Sequence, residues 1–285
     1  MRQFLALFAA LFLTAPLAAC VSTAPPDIDQ SVQGRQATAD GIALAAGLSA
    51  SILQLSPFPI QSYARGLEDS QGDSITIYVE GDGFAWASRT RPSTDPTPFN
   101  PLALRLAARD PAPAVAYLAR PCQYVSSSAC VQRFWGNARF SEEMIAAMDE
   151  AVSTMKARAS ASQIHLVGFS GGGAVVALLA ARRSDVASLR TVAGYLDHVA
   201  LNEAIDVSPL SGSLDPMQIA ADLRHIPQLH LSGADDTVIP PWVAENFVAA
   251  QGESACVTTL TQQGTGHNSG WVDAWPSLNE LPLPC

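Results

Sequence analysis

The chain has 285 residues, of which 48% are hydrophobic and 15% are charged. This composition provides ample apolar material for a large core, and it excludes an intrinsically disordered chain, a collagen and a polytopic membrane protein. The formal net charge of −10 argues against nucleic acid as a partner, because phosphate backbones repel an acidic protein.

The N-terminal segment is typical of an export signal. Arg2 precedes an apolar run over residues 4–13, which is too short to span a bilayer. Residues 17–20, LAAC, resemble the lipobox of bacterial lipoproteins. That resemblance implies cleavage before Cys20 and attachment of lipid to it, and Val21 in the next position favours the outer membrane. An ordinary signal peptide with an incidental Cys20 is the alternative.

The segment that follows is rich in small residues, Pro and polar residues, which favours a flexible tether. The predicted organisation is therefore a lipoprotein signal peptide over residues 1–19, a tether over 20–36 and one domain over 37–285. Acyl chains on Cys20 would hold the protein at the membrane without a membrane-spanning helix.

In the predicted domain, short β-type runs alternate with helical stretches, which is typical of a mostly parallel α/β sheet. The predicted strands are residues 58–65, 74–80, 114–119, 163–168, 189–193, 228–232 and 256–260. The predicted helices are residues 37–55, 102–108, a segment after residue 141, and residues 171–183 and 240–250. Residues 89–113 contain six prolines and are predicted as a surface loop around the helix at 102–108.

Four cysteines follow Cys20 in the sequence. In an oxidising compartment we expect sequence neighbours to pair, as Cys122–Cys130 and Cys256–Cys285. A metal site is the alternative, but the chain has neither CxxC nor HxxxH spacing. We predict no metal.

The strongest chemical signal is the G-x-S-x-G motif formed by Gly168, Ser170 and Gly172. It lies between a predicted apolar strand and a helix of small residues, which is the context of a nucleophile elbow. Glycines on both sides allow the strand and helix backbones to pass closely. The motif predicts Ser170 as a nucleophile, and the alternative is a glycine-rich turn that only packs.

A serine nucleophile needs a base. His267 lies in the polar loop 264–269 after the last predicted strand, and it is the best candidate. His198, which follows Asp197, is the serious rival, because the remaining three histidines lie within or at the end of predicted strands and helices.

Residues 231–240, LSGADDTVIP, resemble the acid loop of the α/β-hydrolase family, G-x-x-D-x-x-V/I-P. The resemblance places the acid at Asp236, with Asp235 and Asp197 as less favoured candidates. The chain order Ser170, Asp236, His267 is also the order of that family. It implies an α/β-hydrolase fold with helices on both faces of the sheet and a small cap insertion, here residues 197–224.

The same resemblance implies an oxyanion hole made by two backbone N–H groups. One belongs to Gly171, and the other to the loop after the strand at 74–80, where Asp82 is the best candidate and Gly83 the next. We expect the Asp82 carboxylate to point away, because negative charge beside an oxyanion is unfavourable. A simple glycine turn is the competing interpretation.

These residues together predict a serine hydrolase that cleaves a small-molecule carboxylic ester through an acyl-enzyme, without a cofactor. An amide or thioester hydrolase with the same triad is one alternative. A non-catalytic surface lipoprotein of the same fold is another.

Overall fold

A computed structural model describes residues 31–68, 73–88, 90–253 and 256–285. The predicted signal peptide over residues 1–19 and the predicted lipidation site Cys20 lie outside these residues. Among the helices of the described part, none has both the length and the apolar character needed to cross a membrane.

The described strands form a mostly parallel sheet beside a small two-stranded ribbon. The strands are β1 (Ser49–Leu53), β2 (Ile60–Arg65), β3 (Ser74–Val79), β4 (Trp86–Ser88), β5 (Arg91–Pro92), β6 (Val115–Leu118), β7 (Gln163–Phe169), β8 (Val186–Val192), β9 (Gln228–Gly233) and β10 (Val257–Gln262). In the described residues, eight strands make the main sheet in the order β1-β2-β6-β3-β7-β8-β9-β10. Strand β3 and strands β6 to β10 are parallel to one another. At one edge of the sheet, β2 pairs antiparallel with β6, and β1 pairs antiparallel with β2.

Helices cover both faces of the sheet. They are α1 (Val32–Ala45), α2 (Leu102–Ala107), α3 (Glu142–Arg158), α4 (Gly171–Ala180), α5 (His198–Ala204), α6 (Trp242–Ala250) and α7 (Trp271–Asn279). One apolar core joins α3, α4 and α6 to the sheet, and another joins α1, α2 and α7 to the opposite face. This arrangement confirms the predicted α/β-hydrolase fold.

Strand register brings the ends of the central strands to the same level. Val79 at the end of β3 pairs with Leu118 on β6 and with Gly168 on β7. Because parallel strands end at the same edge, the loops that follow them meet there. That edge carries the candidate site.

The predicted helix over residues 37–55 is correct only in its first half. The helix α1 ends at Ala45, and β1 begins at Ser49. Between them Gly47 has a φ of 68°, a left-handed conformation that ends a helix and is favourable for glycine. The alanine-rich composition did not reveal this stop.

The predicted tether is also too long, because α1 begins at Val32 rather than after residue 36. The Arg35 side chain is buried, donates to the carbonyl of Thr97 and lies over the Phe99 ring at 4.9 Å. A buried, hydrogen-bonded guanidinium fixes this turn of the helix to the body of the protein.

The helix predicted inside a surface loop at 102–108 is buried along Leu102, Leu104 and Leu106.

Both predicted disulfides form, Cys122–Cys130 and Cys256–Cys285. The first closes a short loop that follows β6, and the second ties the C-terminal residue to the start of β10. The predicted cap contains α5 and a 3-10 helix, Pro216–Leu223.

Candidate active site

Ser170 lies in the sharp turn between β7 and α4. Its φ of 51° and ψ of −121° are strained for a residue with a side chain, at a cost of roughly 1–3 kcal/mol. Its N–H donates to Val192 on β8 at 2.9 Å, which helps to hold the turn. A Cβ at Gly168 would lie 2.3 Å from the carbonyl oxygen of Gly172, and a Cβ at Gly172 would lie 2.3 Å from that of Val79. The glycines of the motif are therefore required for the close passage of strand and helix.

The side chains of Ser170, His267 and Asp236 come together although they are far apart in the sequence. His267 Nε2 lies 3.1 Å from Ser170 Oγ, and His267 Nδ1 lies 2.9 Å from Asp236 Oδ2. The imidazole also packs against the Phe169 ring, with 5.2 Å between centroids. This geometry leaves Nε2 able to accept the serine proton when Nδ1 donates to the carboxylate.

The Asp236 carboxylate is fully enclosed. Its Oδ1 accepts hydrogen bonds from the N–H groups of Val238 and Ile239, both at 2.8 Å, while Oδ2 faces His267. These contacts fix the carboxylate before any substrate binds. The neighbouring Asp235 is exposed and does not reach the imidazole through any contact within the described residues.

Asp197 and His198, which the sequence left as rival candidates for the acid and the base, lie in a separate cluster. Asp197 caps α5 through the N–H of Ala200 at 3.1 Å and accepts from Asn246 at 2.9 Å. His198 is buried, and its Nε2 lies 3.1 Å from the carbonyl oxygen of Leu214. Their contacts are structural, and neither reaches Ser170 in the described part of the chain.

The loop 80–83 lies directly against Ser170. A Cβ at Gly81 would lie 3.2 Å from the Cβ of Ser170 and 3.1 Å from the Phe169 ring. In the described part of the chain, neither the N–H of Asp82 nor that of Gly171 donates to a protein acceptor. Two unpaired N–H groups beside a serine are the donors that an oxyanion hole requires.

The expectation that the Asp82 carboxylate points away is wrong. A Cβ at Gly171 would lie only 2.1 Å from Asp82 Oδ1, so the carboxylate covers that glycine. Arg120 Nη1 contacts Oδ1 at 3.3 Å, and Arg139 Nη1 contacts Oδ2 at 2.5 Å. The two guanidinium groups neutralise the charge that made this position unfavourable. Burial lowers the pKa of Arg120 to about 10, against the opposing effect of Asp82, which leaves it charged at neutral pH.

Glu80, the first residue of the loop, is fully buried. Its Oε1 accepts from the N–H of Gly81 at 3.0 Å and from that of Ala103 at 3.4 Å. Burial raises the pKa of Glu80 to about 7, although these donors oppose the shift. The phenols of Tyr117 and Tyr124 lie beside it, and burial raises the pKa of both well above the usual value. Glu80 thus joins the loop to the first turn of α2.

The sequence interpretation did not identify Arg120, Gln123 or Arg139. Gln123 Nε2 donates to the carbonyl oxygen of Gly81 at 3.0 Å within the core. A usable signal was the position of residues 120–124 directly after the predicted strand 114–119, because the ends of neighbouring parallel strands meet. No comparable local pattern marks Arg139.

A cleft of about 780 Å³ opens beside Ser170. Its apolar walls come from the cap, through Leu201, Ile205, Val207 and Leu210, and from Val238 after β9. Trp86, which the sequence did not distinguish from the other four tryptophans, also lines the cleft. The cap therefore forms one wall of the cleft.

Among the described residues, no group of three or more His, Cys, Asp or Glu is arranged to hold a metal ion. The groups that the structure brings together at this edge are Ser170, His267 and Asp236, with backbone N–H groups beside them.

Comparison with known proteins identifies a family. The family model described as serine hydrolase (FSH1) matches residues 108–268, which is more than half of the chain. The match spans the elbow, the acid loop and His267. No curated protein sequence matches significantly.

Solved structures share the fold at low sequence identity. An alpha-beta serine hydrolase homologue from Coxiella burnetii is 16% identical, with a TM-score of 0.57 over 81% of this chain and 94% of that chain. Est1E from Butyrivibrio proteoclasticus is 11% identical, with a TM-score of 0.56 over 80% and 95%. XC6422 from Xanthomonas campestris, described as an a/b serine hydrolase without lid, is 16% identical, with a TM-score of 0.52 over 81% and 92%.

Proposed function

The chain belongs to the FSH1 serine hydrolase family, and from that premise we propose that it hydrolyses carboxylic esters through an acyl-enzyme formed on Ser170. The observation that carries the proposal is the hydrogen-bonded series from Ser170 Oγ through His267 to Asp236 at the edge of an apolar cleft. The Pyrococcus furiosus esterase Pf2001, which has a similar fold at 13% identity and a TM-score of 0.55, supports an ester substrate by analogy.

In the proposed first half-reaction, Ser170 Oγ attacks the ester carbonyl carbon while His267 Nε2 takes its proton. Asp236 holds the imidazole in the tautomer that accepts at Nε2 and stabilises its charged form. The N–H groups of Asp82 and Gly171 donate to the tetrahedral oxyanion. His267 then protonates the departing alkoxide, and the C–O bond to the alcohol breaks.

In the second half-reaction, water attacks the acyl-enzyme carbonyl while His267 takes a proton from it. Collapse of the second tetrahedral intermediate releases the carboxylic acid and returns the proton to Ser170 Oγ. No oxidant, metal or cofactor is consumed in this balance.

A fluorophosphonate probe tests the nucleophile. We expect it to label the wild-type protein at Ser170 and not the Ser170→Ala variant, while Ser153→Ala on the exposed face of α3 keeps full labelling. Equal labelling of the wild type and Ser170→Ala would refute the assignment.

The leaving group is tested separately with a p-nitrophenyl ester, a thioester and a p-nitroanilide of the same acyl group. We expect the ester to give the highest kcat/KM. A preference for the anilide or the thioester would assign the same residues to amide or thioester hydrolysis.

The place of action is proposed from the sequence: lipid on Cys20 anchors the protein at the outer membrane. Changing Cys20→Ala should move the protein from the membrane fraction to the soluble fraction and remove the mass of the lipid. Val21→Ala, which keeps the cysteine, is the matched control. An unmodified Cys20 in the membrane fraction would contradict the anchor.

A further inference from the structure

The mouth of the cleft is rimmed by large apolar side chains that remain exposed. Trp86, Ile205, Val207 and Val238 all line the cleft and are between 39% and 51% exposed. We call these four side chains the apolar rim. Leaving large apolar groups in water is unfavourable, so a cluster of them around a cleft marks a surface that an apolar ligand covers.

The charges of the cleft do not favour an anionic ligand. Among the described residues that line the cleft, the one cationic side chain is that of Arg139. Its guanidinium group already pairs with the Asp82 carboxylate and donates to the carbonyl oxygen of Gly136 at 2.8 Å. Asp206, on the same wall as Ile205, adds negative charge. Within the part of the chain that the structure describes, a carboxylate or phosphate in this cleft would meet no guanidinium group other than that of Arg139.

We propose that this site takes esters carrying an extended, uncharged hydrocarbon chain, which lies along the apolar rim while the carbonyl faces Ser170. This inference rests on the proposed ester hydrolysis at Ser170. The cleft volume of about 780 Å³ leaves room for such a chain beside the reacting carbonyl.

A series of p-nitrophenyl esters from acetate to octanoate, each kept below its aggregation limit, tests the proposal. Burying one CH₂ contributes about 0.8 kcal/mol, which corresponds to an increase in kcat/KM of up to about fourfold per added CH₂. The octanoate-to-acetate ratio of kcat/KM should fall at least several-fold in the double variant Ile205→Ser/Val207→Ser.

Val199→Ser is the matched control, because Val199 is 54% exposed on α5 but does not line the cleft. It should keep the wild-type ratio. A flat or falling dependence on chain length, or an equal effect of Val199→Ser, overturns the proposal. Failure of the proposed function itself would look different, because acetate would not be hydrolysed and Ser170 would not be labelled.

A second inference comes from the peptide unit between Gly81 and Asp82. In a trans peptide the C=O and N–H groups lie in one plane and point in opposite directions. The Gly81 carbonyl accepts a buried hydrogen bond from Gln123 Nε2 at 3.0 Å. That bond therefore sets the direction in which the Asp82 N–H points.

Gln123 is itself held firmly. It is 1% exposed, and its Oε1 accepts from the N–H of Arg120 at 3.0 Å. On either side, Cys122 is joined to Cys130 and the N–H of Tyr124 donates to Thr97 Oγ1 at 2.7 Å. The amide therefore has little freedom to follow a peptide that rotates.

We infer that Gln123 is a positioning residue that orients the Asp82 N–H toward the oxyanion. This inference also rests on the proposed mechanism, but it is independent of substrate chain length. In Gln123→Glu, a carboxylate oxygen replaces the amide nitrogen that donates to the Gly81 carbonyl oxygen. The two acceptors repel each other, so the peptide unit between Gly81 and Asp82 turns away.

The variant Gln123→Glu should lower kcat by about tenfold to a hundredfold, less than the loss of a whole oxyanion donor, with KM within about twofold of wild type. The affinity for a trifluoromethyl ketone, which forms a tetrahedral adduct with serine, should fall by a similar factor. A residue that only supports the fold would instead lower the urea midpoint of unfolding and leave that affinity in the folded fraction unchanged.

Gln123→Met, which keeps the length and removes both polar ends, is measured beside it in case Gln123→Glu does not fold. A kcat within twofold of wild type in the folded variant overturns the inference. So does a loss of kcat with unchanged affinity for the ketone. Continued labelling of Ser170 separates either result from a failure of the proposed function.

Discussion

The nucleophile side and the oxyanion side of the candidate site are held by different forces. Ser170, Asp236 and His267 follow the ends of β7, β9 and β10 and are oriented by backbone groups and by glycines. The facing loop 80–83 is instead held through its own Glu80 and Asp82 side chains, which contact distant segments of the chain. Glu80 accepts from the N–H of Ala103, and Asp82 pairs with Arg120 and Arg139.

This difference has an energetic consequence. Backbone hydrogen bonds and steric fit do not change with pH. When one charge of a buried carboxylate–guanidinium pair is removed, by contrast, the other charge is left uncompensated in the protein interior. We therefore expect changes on the nucleophile side to act mainly on the reaction. Changes on the oxyanion side should also act on stability and on its pH dependence.

The largest effect is expected for Asp236→Asn. The amide cannot hold the imidazole in the required tautomer, so kcat should fall about 10⁴-fold. Steady-state kinetics with an activated ester measures this. Asp235→Asn, one position earlier and exposed, should stay near wild type, and equal losses in the two variants would mean that the acid is misassigned.

The variant Asp82→Asn should be the most destabilising charge change on the oxyanion side. It leaves Arg120 and Arg139 buried without their counter-charge, which typically costs about 3 to 5 kcal/mol of unfolding free energy. Urea unfolding measures the loss. Glu143→Gln breaks the exposed pair with Arg133 and should change stability by no more than about 1 kcal/mol. Similar values for both variants would contradict the comparison.

Gly171→Ala tests the contact between the two sides. The new Cβ would lie 2.1 Å from Asp82 Oδ1, so the loop and the oxyanion donors must separate. We expect kcat to fall about 10²–10³-fold, the usual loss for one oxyanion donor. Gly41→Ala on α1 meets no atom within 4 Å and should leave kcat unchanged. A wild-type kcat for Gly171→Ala would show that the donors do not depend on this close approach.

The smallest effect is the pH dependence caused by Glu80. Its folded-state pKa of about 7 lies above the ordinary value of 4.5, so the folded protein retains a proton that the unfolded chain has lost between these values. Stability should therefore fall as the pH rises from 4.5 to 7, by about 3 kcal/mol in total.

Urea unfolding across this pH range checks the slope against Glu80→Gln, which mimics the protonated side chain and should lack this contribution. Glu68→Gln at an exposed position should keep the wild-type slope. If the free energy of unfolding depended on pH in the same way in the wild type and in Glu80→Gln, Glu80 would not be the source of the pH dependence.

The sequence by itself determined the parts whose signals are local. The elbow around Ser170, the acid loop at Asp236 and the alternation of strands and helices depend on short-range sterics and hydrogen bonding, so a few neighbouring residues suffice to identify them. The pairing of Cys122 with Cys130 and of Cys256 with Cys285 agrees with the expectation that sequence neighbours pair, but the sequence alone left three pairings open.

Only the tertiary structure decided which groups surround Asp82. Arg120 and Arg139 lie 38 and 57 residues away from it in the sequence, and the direction of the carboxylate depends on both. The same holds for Gln123, which lies 42 residues from Gly81. The charge balance of a buried site depends on neighbours in space, so the expectation for the direction of the Asp82 carboxylate, drawn from that residue alone, was wrong. The turn at Ser170 depends on the glycines next to it in the sequence, so the expectation for that turn agreed with the fold.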